Sequence, residues 1–127
     1  MKFEHFFGTD ICNSADEIEE ILCKQNENKV NEFWISNETA FPFMGVLTNS
    51  SYAYVHFFDE EGSPGFRGLA DEDLGLDEDE LPTFYSSNGE IMSVEIECIV
   101  SLNKAVEVVR EFFETGSMPT SIEWDEL

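Results

Sequence analysis

A concentration of acidic residues between Asp59 and Glu80 constrains the fold of this chain more than any other feature. Ten of these side chains are carboxylates, and the only base among them is Arg67. Like charges at this spacing repel one another and are costly to bury unless a cationic group meets them. Residues 59–82, here called the acidic arm, are therefore predicted to be a solvated loop. The core must come from the apolar, strand-like sequences on either side.

The whole chain shares this imbalance, with 28 acidic residues against six Lys and Arg and a formal charge of -22. Direct phosphate binding needs clustered bases, and here the bases are scattered singly, so nucleic acid is disfavoured as a ligand. Anionic membrane surfaces are disfavoured for the same reason. The charge instead favours a basic protein partner, and the alternative interpretation is that it serves solubility alone.

The length predicts one domain over residues 1–127, large enough to bury about two thirds of its unfolded surface. Twelve Phe and a hydrophobic content of 42% argue against wholesale disorder. Cys12, Cys23 and Cys98 form no C-x-x-C pair, which fits a reducing compartment. The start resembles no signal peptide and no apolar run approaches the ~18 residues of a membrane span, so we expect a cytoplasmic protein.

Strand patterns precede the arm at residues 32–36, 43–48 and 52–59. The short Asn49-Ser50-Ser51 segment predicts that the second and third strands pair antiparallel. Ala53, Val55 and Phe57 share one face of the third strand and are expected in the core. Its other face is also apolar or aromatic, which predicts a central position in the sheet.

After the arm, residues 83–85 read as a strand followed by the Asn88-Gly89 signal of a hairpin. Residues 92–100 then alternate apolar and polar, which predicts a long strand with Met92, Val94 and Ile96 facing the core. Residues 14–24 and 101–114 show helical periodicity, and a short strand is expected near the C-terminus. The chain is thus predicted to be α+β, with an antiparallel sheet of about five strands and two helices packed on one face.

Catalytic and metal-binding patterns are missing from the sequence. His5 and His56 sit among aromatic residues, without a Ser, Cys or carboxylate at a spacing typical of a relay. An EF-hand beginning at Asp71 would place Leu76 where Gly is needed and Pro82 where the bidentate Glu is needed. We therefore expect no enzyme activity, no cofactor and no metal, and keep weak, irregular calcium binding as an alternative.

Several segments occur in a recognisable order: Phe33-Trp34-Ile35, Phe41-Pro42, residues 52–58, Glu97-Cys98-Ile99-Val100, Phe112-Phe113 and Trp124-Asp125-Glu126-Leu127. In this order, residues 30–127 resemble the deaminase-associated bacterial immunity proteins. The family's partners include a double-stranded-DNA cytosine deaminase toxin. The resemblance implies a small cytoplasmic α+β protein without enzyme activity, which binds one secreted toxin domain as a 1:1 heterodimer and blocks its active site.

A toxin acting on nucleic acid needs a cationic substrate groove, and a loop studded with carboxylates can occupy such a groove as a competing polyanion. The expected partner-binding residues are the arm's carboxylates and its aromatic neighbours: Asp59, Glu60, Glu61, Phe66, Asp71, Glu72, Asp73, Asp77, Glu78, Asp79, Glu80, Phe84 and Tyr85. The alternative function is an acidic nucleic-acid mimic or regulatory module that binds host DNA-handling proteins.

Overall fold

Ten short strands and two helices form the regular structure in a computed structural model that describes residues 1–127. In chain order they are β1 (Lys2–His5), β2 (Gly8–Ile11), α1 (Ile18–Leu22), β3 (Val30–Ser36), β4 (Phe43–Asn49), β5 (Tyr52–Phe58), β6 (Phe66–Leu69), β7 (Phe84–Tyr85), β8 (Ile91–Met92), β9 (Val100–Ser101), α2 (Leu102–Thr115) and β10 (Glu123–Glu126). Single 3-10 turns lie at Ala15–Glu17 and Ile96–Cys98.

The main sheet is antiparallel and has the strand order β10-β6-β5-β4-β3-β1-β2, with β9 paired to one end of β5. The predicted α+β class is therefore confirmed, but the sheet has eight strands and not about five. Two strands that were not predicted, β2 and β6, contain only four residues each. Gly8 and Asp10 lie in β2, an edge strand, where polar residues and glycine are tolerated because half of the strand faces water.

The β4–β5 hairpin forms as predicted, in an unbroken register from Phe43 opposite Phe58 to Asn49 opposite Tyr52. Strand β5 is central, since β4 covers one of its edges and β6 and β9 share the other. Ala53, Val55 and Phe57 are buried on one face, as their alternation predicted.

Both helices pack on this same face of the sheet, as predicted. The Ser101 Oγ caps α2 by accepting a 3.0 Å hydrogen bond from the backbone N–H of Lys104, and Gly116 ends the helix in the left-handed conformation at φ 68°. The Phe112 ring of α2 meets the Phe57 ring edge-on at 5.9 Å. Helix α1 is shorter than the predicted 14–24, because Ser14 caps a 3-10 turn before it. Together these elements enclose 19 buried residues, the main core.

A second, smaller cluster lies on the other face of the sheet, here called the outer face. Its buried members are Leu47, Phe84 and Ile99. The β7–β8 hairpin, which forms as the Asn-Gly signal predicted, and the later part of the acidic arm cover it. The sheet is thus covered by helices on one face and only in part on the other.

The predicted long strand over residues 92–100 is wrong. Strand β8 ends at Met92, a 3-10 turn follows, and β9 contains only two residues. Met92 is 40% exposed, Val94 packs on the second cluster and Ile96 is half-buried, so none of the three lines the main core. The reason is competition: β6 already pairs with His56 and Phe57 on that edge of β5, so β9 pairs only at the other end, with Tyr52 and Ala53.

The predicted C-terminal strand is present as β10, which pairs with β6. Ile122 is buried, and the Trp124 indole packs on the main core, where its Nε1 donates a 2.8 Å hydrogen bond to the Pro119 carbonyl. Trp124 therefore has a structural role. Neither helix combines the length and apolar character that crossing a lipid bilayer requires.

Candidate functional site

The acidic arm is not one continuous loop, which corrects the prediction for residues 59–82. Its middle forms β6 between β5 and β10, so the arm consists of a turn at 59–65, a strand and a segment at 70–83. Gly68 allows this close insertion, because a Cβ there would lie 2.5 Å from Cγ2 of Val55 and 2.8 Å from Cδ1 of Ile122. The arm is therefore part of the sheet.

The carboxylates of the acidic arm face solvent, and almost none of them is paired with a base. All ten of its carboxylates are exposed, and only Asp71 makes an ion pair, with Nζ of Lys104 at 3.0 Å. That contact is the main cause of the raised pKa of Lys104. The bases Lys2, Lys24, Arg67 and Arg110 pair with acids outside the arm, which leaves Lys29 as the one base without an ion pair. Nine arm carboxylates are thus free to meet a cationic partner.

Hydrogen bonds and half-buried leucines hold segment 70–83 in place. At its start the Ala70 N–H donates to the Glu97 carbonyl at 2.7 Å, and at its end Asn49 Nδ2 donates to the Thr83 carbonyl at 2.7 Å. Between these points three leucines pack on the second cluster: Leu74, Leu76 and Leu81. The carboxylates therefore project from a segment that the folded protein already holds in place.

The aromatic residues expected to accompany the carboxylates lie mostly inside the protein. Phe84 is 0% exposed in the second cluster, so its assignment as a partner-binding residue is corrected to a core residue. Phe66 lies in β6, half-buried against the main core. Tyr85 is half-buried and lines a shallow cavity of about 290 Å³ with Phe6 and Val30. Tyr85 therefore borders a surface cavity, whereas Phe84 is fully buried.

Arg67, the only base in the arm, is neutralised on the outer face. Its Nε donates to Oδ2 of Asp125 at 2.8 Å, and its Nη1 lies 3.2 Å from Oε2 of Glu95. The hydrogen bond to Asp125 is the main cause of its raised pKa. Arg67 therefore stays charged but does not offset the arm's own carboxylates.

A second surface was not predicted from the sequence. Trp34, Phe43, His56 and Phe58, here called the outer aromatic patch, lie together on the part of the outer face that the β7–β8 hairpin leaves open. Phe43 stacks on Phe58 with ring centroids 4.6 Å apart, and His56 stacks on Phe58 at 4.1 Å. Trp34, 41% exposed, lies across Gly45 and 5.9 Å from Phe43. The available signal was alternation: the neighbours Phe33 and Ile35 face the core, so Trp34 faces outward.

His5 has a carboxylate partner, contrary to the expectation from spacing. Its Nε2 lies 2.7 Å from Oδ2 of Asp10 across the β1–β2 hairpin, and its Nδ1 accepts from the Phe7 N–H at 3.1 Å. Lys24 also contacts Asp10 at 2.7 Å, and the hydrogen bonds from Lys24, first, and His5 lower the Asp10 pKa. Both ring nitrogens of His5 are engaged and the ring packs on Phe33. The contacts among His5, Asp10 and Lys24 therefore connect the β1–β2 hairpin to the residues that follow α1.

His56 is likewise engaged within the fold. Its Nε2 contacts the Pro64 carbonyl at 3.1 Å, and burial lowers its pKa, so the ring is neutral at pH 7. The Tyr54 hydroxyl approaches its Nδ1 at 3.4 Å. Nowhere in residues 1–127 do three or more His, Cys, Asp or Glu side chains converge as metal ligands would. The absence of a metal or cofactor remains a prediction.

Comparison with known proteins places these features in a family context. Residues 42–126, from just before β4 to the end of β10, match the family described as Immunity protein Imm1. One similar protein is the double-stranded DNA deaminase immunity protein of Burkholderia cenocepacia (strain H111). It is 24% identical over 129 residues, and the alignment covers 100% of both chains. The family match includes the acidic arm and three of the four patch residues.

Proposed function

Because the chain belongs to the Imm1 family of immunity proteins, we propose that it binds one cognate toxin domain and neutralises it by covering the active site. The family resemblance seen in the sequence is confirmed by this membership. The toxin, we propose further, is a nucleic-acid deaminase. The name of the Burkholderia cenocepacia relative supports that substrate class.

The exposed charge of the acidic arm is the observation that carries the proposal. An enzyme that acts on nucleic acid attracts phosphates with a cationic groove. Nine unpaired carboxylates on the folded arm offer that groove a competing polyanion. Inhibition then needs no chemistry from this chain, because occupation of the groove excludes the substrate.

The solvated position of these carboxylates indicates how they act. Exposed charges mainly accelerate the encounter with an oppositely charged partner, and salt screens them over a Debye length of ~8 Å at physiological ionic strength. They add little to the lifetime of the complex unless they become buried in it. The arm is therefore expected to govern the association rate.

A matched pair of charge variants tests this proposal. One variant neutralises four arm residues whose side chains make no ion pair or hydrogen bond within the fold: Glu72→Gln, Glu78→Gln, Asp79→Asn and Glu80→Gln. The control removes the same charge elsewhere, again at exposed and unpaired positions: Asp16→Asn, Glu20→Gln, Glu27→Gln and Glu114→Gln. The two variants have equal net charge and equal side-chain chemistry.

Stopped-flow association with the purified toxin domain encoded by the neighbouring gene, across a salt series, gives the readout. We expect the arm variant to associate about tenfold more slowly at low salt and with a flatter salt dependence, and the control to change much less. Equal rates for the two variants would remove the arm from the interface. If the wild-type chain neither binds that toxin nor blocks its deamination of DNA or RNA, the immunity proposal itself fails.

A further inference from the structure

The outer face of the sheet is covered more fully at one end than at the other. At the Tyr52 end of β5, the β7–β8 hairpin and the arm's leucines cover Leu47 and Tyr54. At the Phe58 end the outer aromatic patch is covered only in part. Trp34 is 41% exposed, while Phe43, His56 and Phe58 are half-buried. Phe41 lies 5.1 Å from Phe43, and the Pro64 carbonyl contacts His56. The exposed parts of these rings lose the free energy that full burial would provide. The patch therefore has the character of a binding surface.

The patch is rigid before any partner arrives. Its rings hold one another by stacking, and the Trp34 ring lies so close to Gly45 that a Cβ there would be 3.1 Å from Cζ3. A groove of about 420 Å³ opens beside it, lined by Trp34, Phe43 and the Glu4 carboxylate among others. Preformed aromatic surfaces bind with little loss of side-chain entropy.

The negative charge beside the patch indicates what kind of group binds there. Asp59, Glu60 and Glu61 follow Phe58 directly and make no ion pair. Glu4, the strand neighbour of Trp34, is already paired with Lys2 at 2.9 Å, so the unpaired negative charge comes from the other three carboxylates. A second copy of this chain would bring its own charge of -22 to the same place, so self-association is opposed. Aromatic faces rimmed by carboxylates instead favour a guanidinium or ammonium group.

We propose that the outer aromatic patch receives an arginine or lysine side chain from the toxin and that this contact sets the lifetime of the complex. The inference rests on the proposed function and extends it from the arm to a second surface. Phe58, His56 and Tyr54 run in succession along the outer face of β5, and Tyr54 joins the cluster that the arm's Leu74 and Leu76 cover. One partner can therefore contact the patch and the arm together.

Substitutions at Trp34 separate this contact from the arm's effect. Trp34→Leu keeps an apolar cover over Gly45 but removes the aromatic face, and Trp34→Ala removes both. The control is Ile91→Ala, which truncates an apolar residue that is also exposed but lies on the β7–β8 hairpin. Thermal melts of all three proteins show whether each is folded at the assay temperature.

Dissociation of the same toxin domain, followed by competition with excess wild-type chain, decides the proposal. We expect Trp34→Ala to dissociate at least about 30-fold faster than wild type, as at a hot spot, with an association rate nearly unchanged. Trp34→Leu should show most of the same acceleration, because it also lacks the aromatic face. Ile91→Ala should match wild type. If wild type binds and inhibits the toxin but both Trp34 variants dissociate at the wild-type rate, the patch is not in the interface, while the proposed function stands.

Two further results would also overturn the patch proposal. If sedimentation shows that the free wild-type chain is a dimer and that Trp34→Ala is a monomer, the occupant is a second copy. If the wild-type chain does not bind the toxin at all, the proposed function fails and this inference fails with it.

Discussion

At the scale of single residues, Thr48 is a buried polar group without a partner. Its side chain is 0% exposed and its Oγ1 makes no hydrogen bond. A desolvated hydroxyl costs free energy, and valine has nearly the same shape. We expect Thr48→Val to raise the free energy of unfolding by about 1 kcal/mol in urea denaturation. Thr9→Val, the same change at an exposed strand position, should have little effect, and a less stable Thr48→Val protein would contradict this account.

Glu111 is a residue whose charge links α2 to the chain before β10. Its carboxylate accepts hydrogen bonds from the N–H and hydroxyl of Thr120 and from the Ser121 N–H, and these, the Thr120 backbone bond first, lower its pKa. Because the folded-state pKa lies below the unfolded one, the stabilisation is present above about pH 4.3 and is lost as pH falls through the folded-state value.

Glu111→Gln should therefore lower the free energy of unfolding at pH 7 by about 1 kcal/mol and reduce its fall between pH 5 and pH 3. The measurement is a urea titration at each pH. Glu114→Gln is the control, since Glu114 is exposed on the same helix and makes no hydrogen bond. Identical pH profiles for the wild type and Glu111→Gln would show that the carboxylate does not stabilise the fold.

At the scale of elements, local sequence patterns predicted the strands correctly where residues close in sequence also pair in space. The β4–β5 hairpin followed from Asn49-Ser50-Ser51 and the alternation around it. The strand predicted over 92–100 failed because its partner edge on β5 is held by β6, a competition that no local pattern contains. The outward position of Trp34 could be inferred from alternation. The exposure of Trp34 could not be inferred in this way, because it depends on where the β7–β8 hairpin packs on the sheet.

The C-terminal strand provides a prediction at this scale. Deleting residues 122–127 removes the buried Ile122 and the Trp124 indole, exposes β6 as an edge and should lower the free energy of unfolding by roughly 3 kcal/mol or more. Thermal melting of the free protein measures it. Deleting Leu127 alone, whose side chain is 50% exposed, is the control. A truncated protein that melts like wild type but no longer binds toxin would move Trp124 from the fold to the interface.

At the scale of the whole molecule, the two faces of the sheet differ in packing and in charge. The helices and one sheet face enclose the main core, while the outer face presents the arm's carboxylates and the outer aromatic patch. The net charge predicted a basic partner from sequence alone, because charge needs no tertiary information. The outer aromatic patch could not be predicted without tertiary information, because Trp34, Phe43 and Phe58 come together only when β3, β4 and β5 pair.

The inward leucines and outward carboxylates of segment 70–83 also bear on how specificity can evolve. The side chains that stabilise this segment, such as Leu74 and Leu76, point away from the solvent-facing positions. Outward residues that make no contact within the fold, such as Glu72, Glu78 and Glu80, can therefore be exchanged one charge at a time without disturbing the contacts that hold the backbone. Asp73 and Asp77 differ, because each accepts a backbone hydrogen bond within the segment. If the arm binds the toxin as proposed, a lineage facing a new toxin could change that surface by point mutation while each intermediate remained folded.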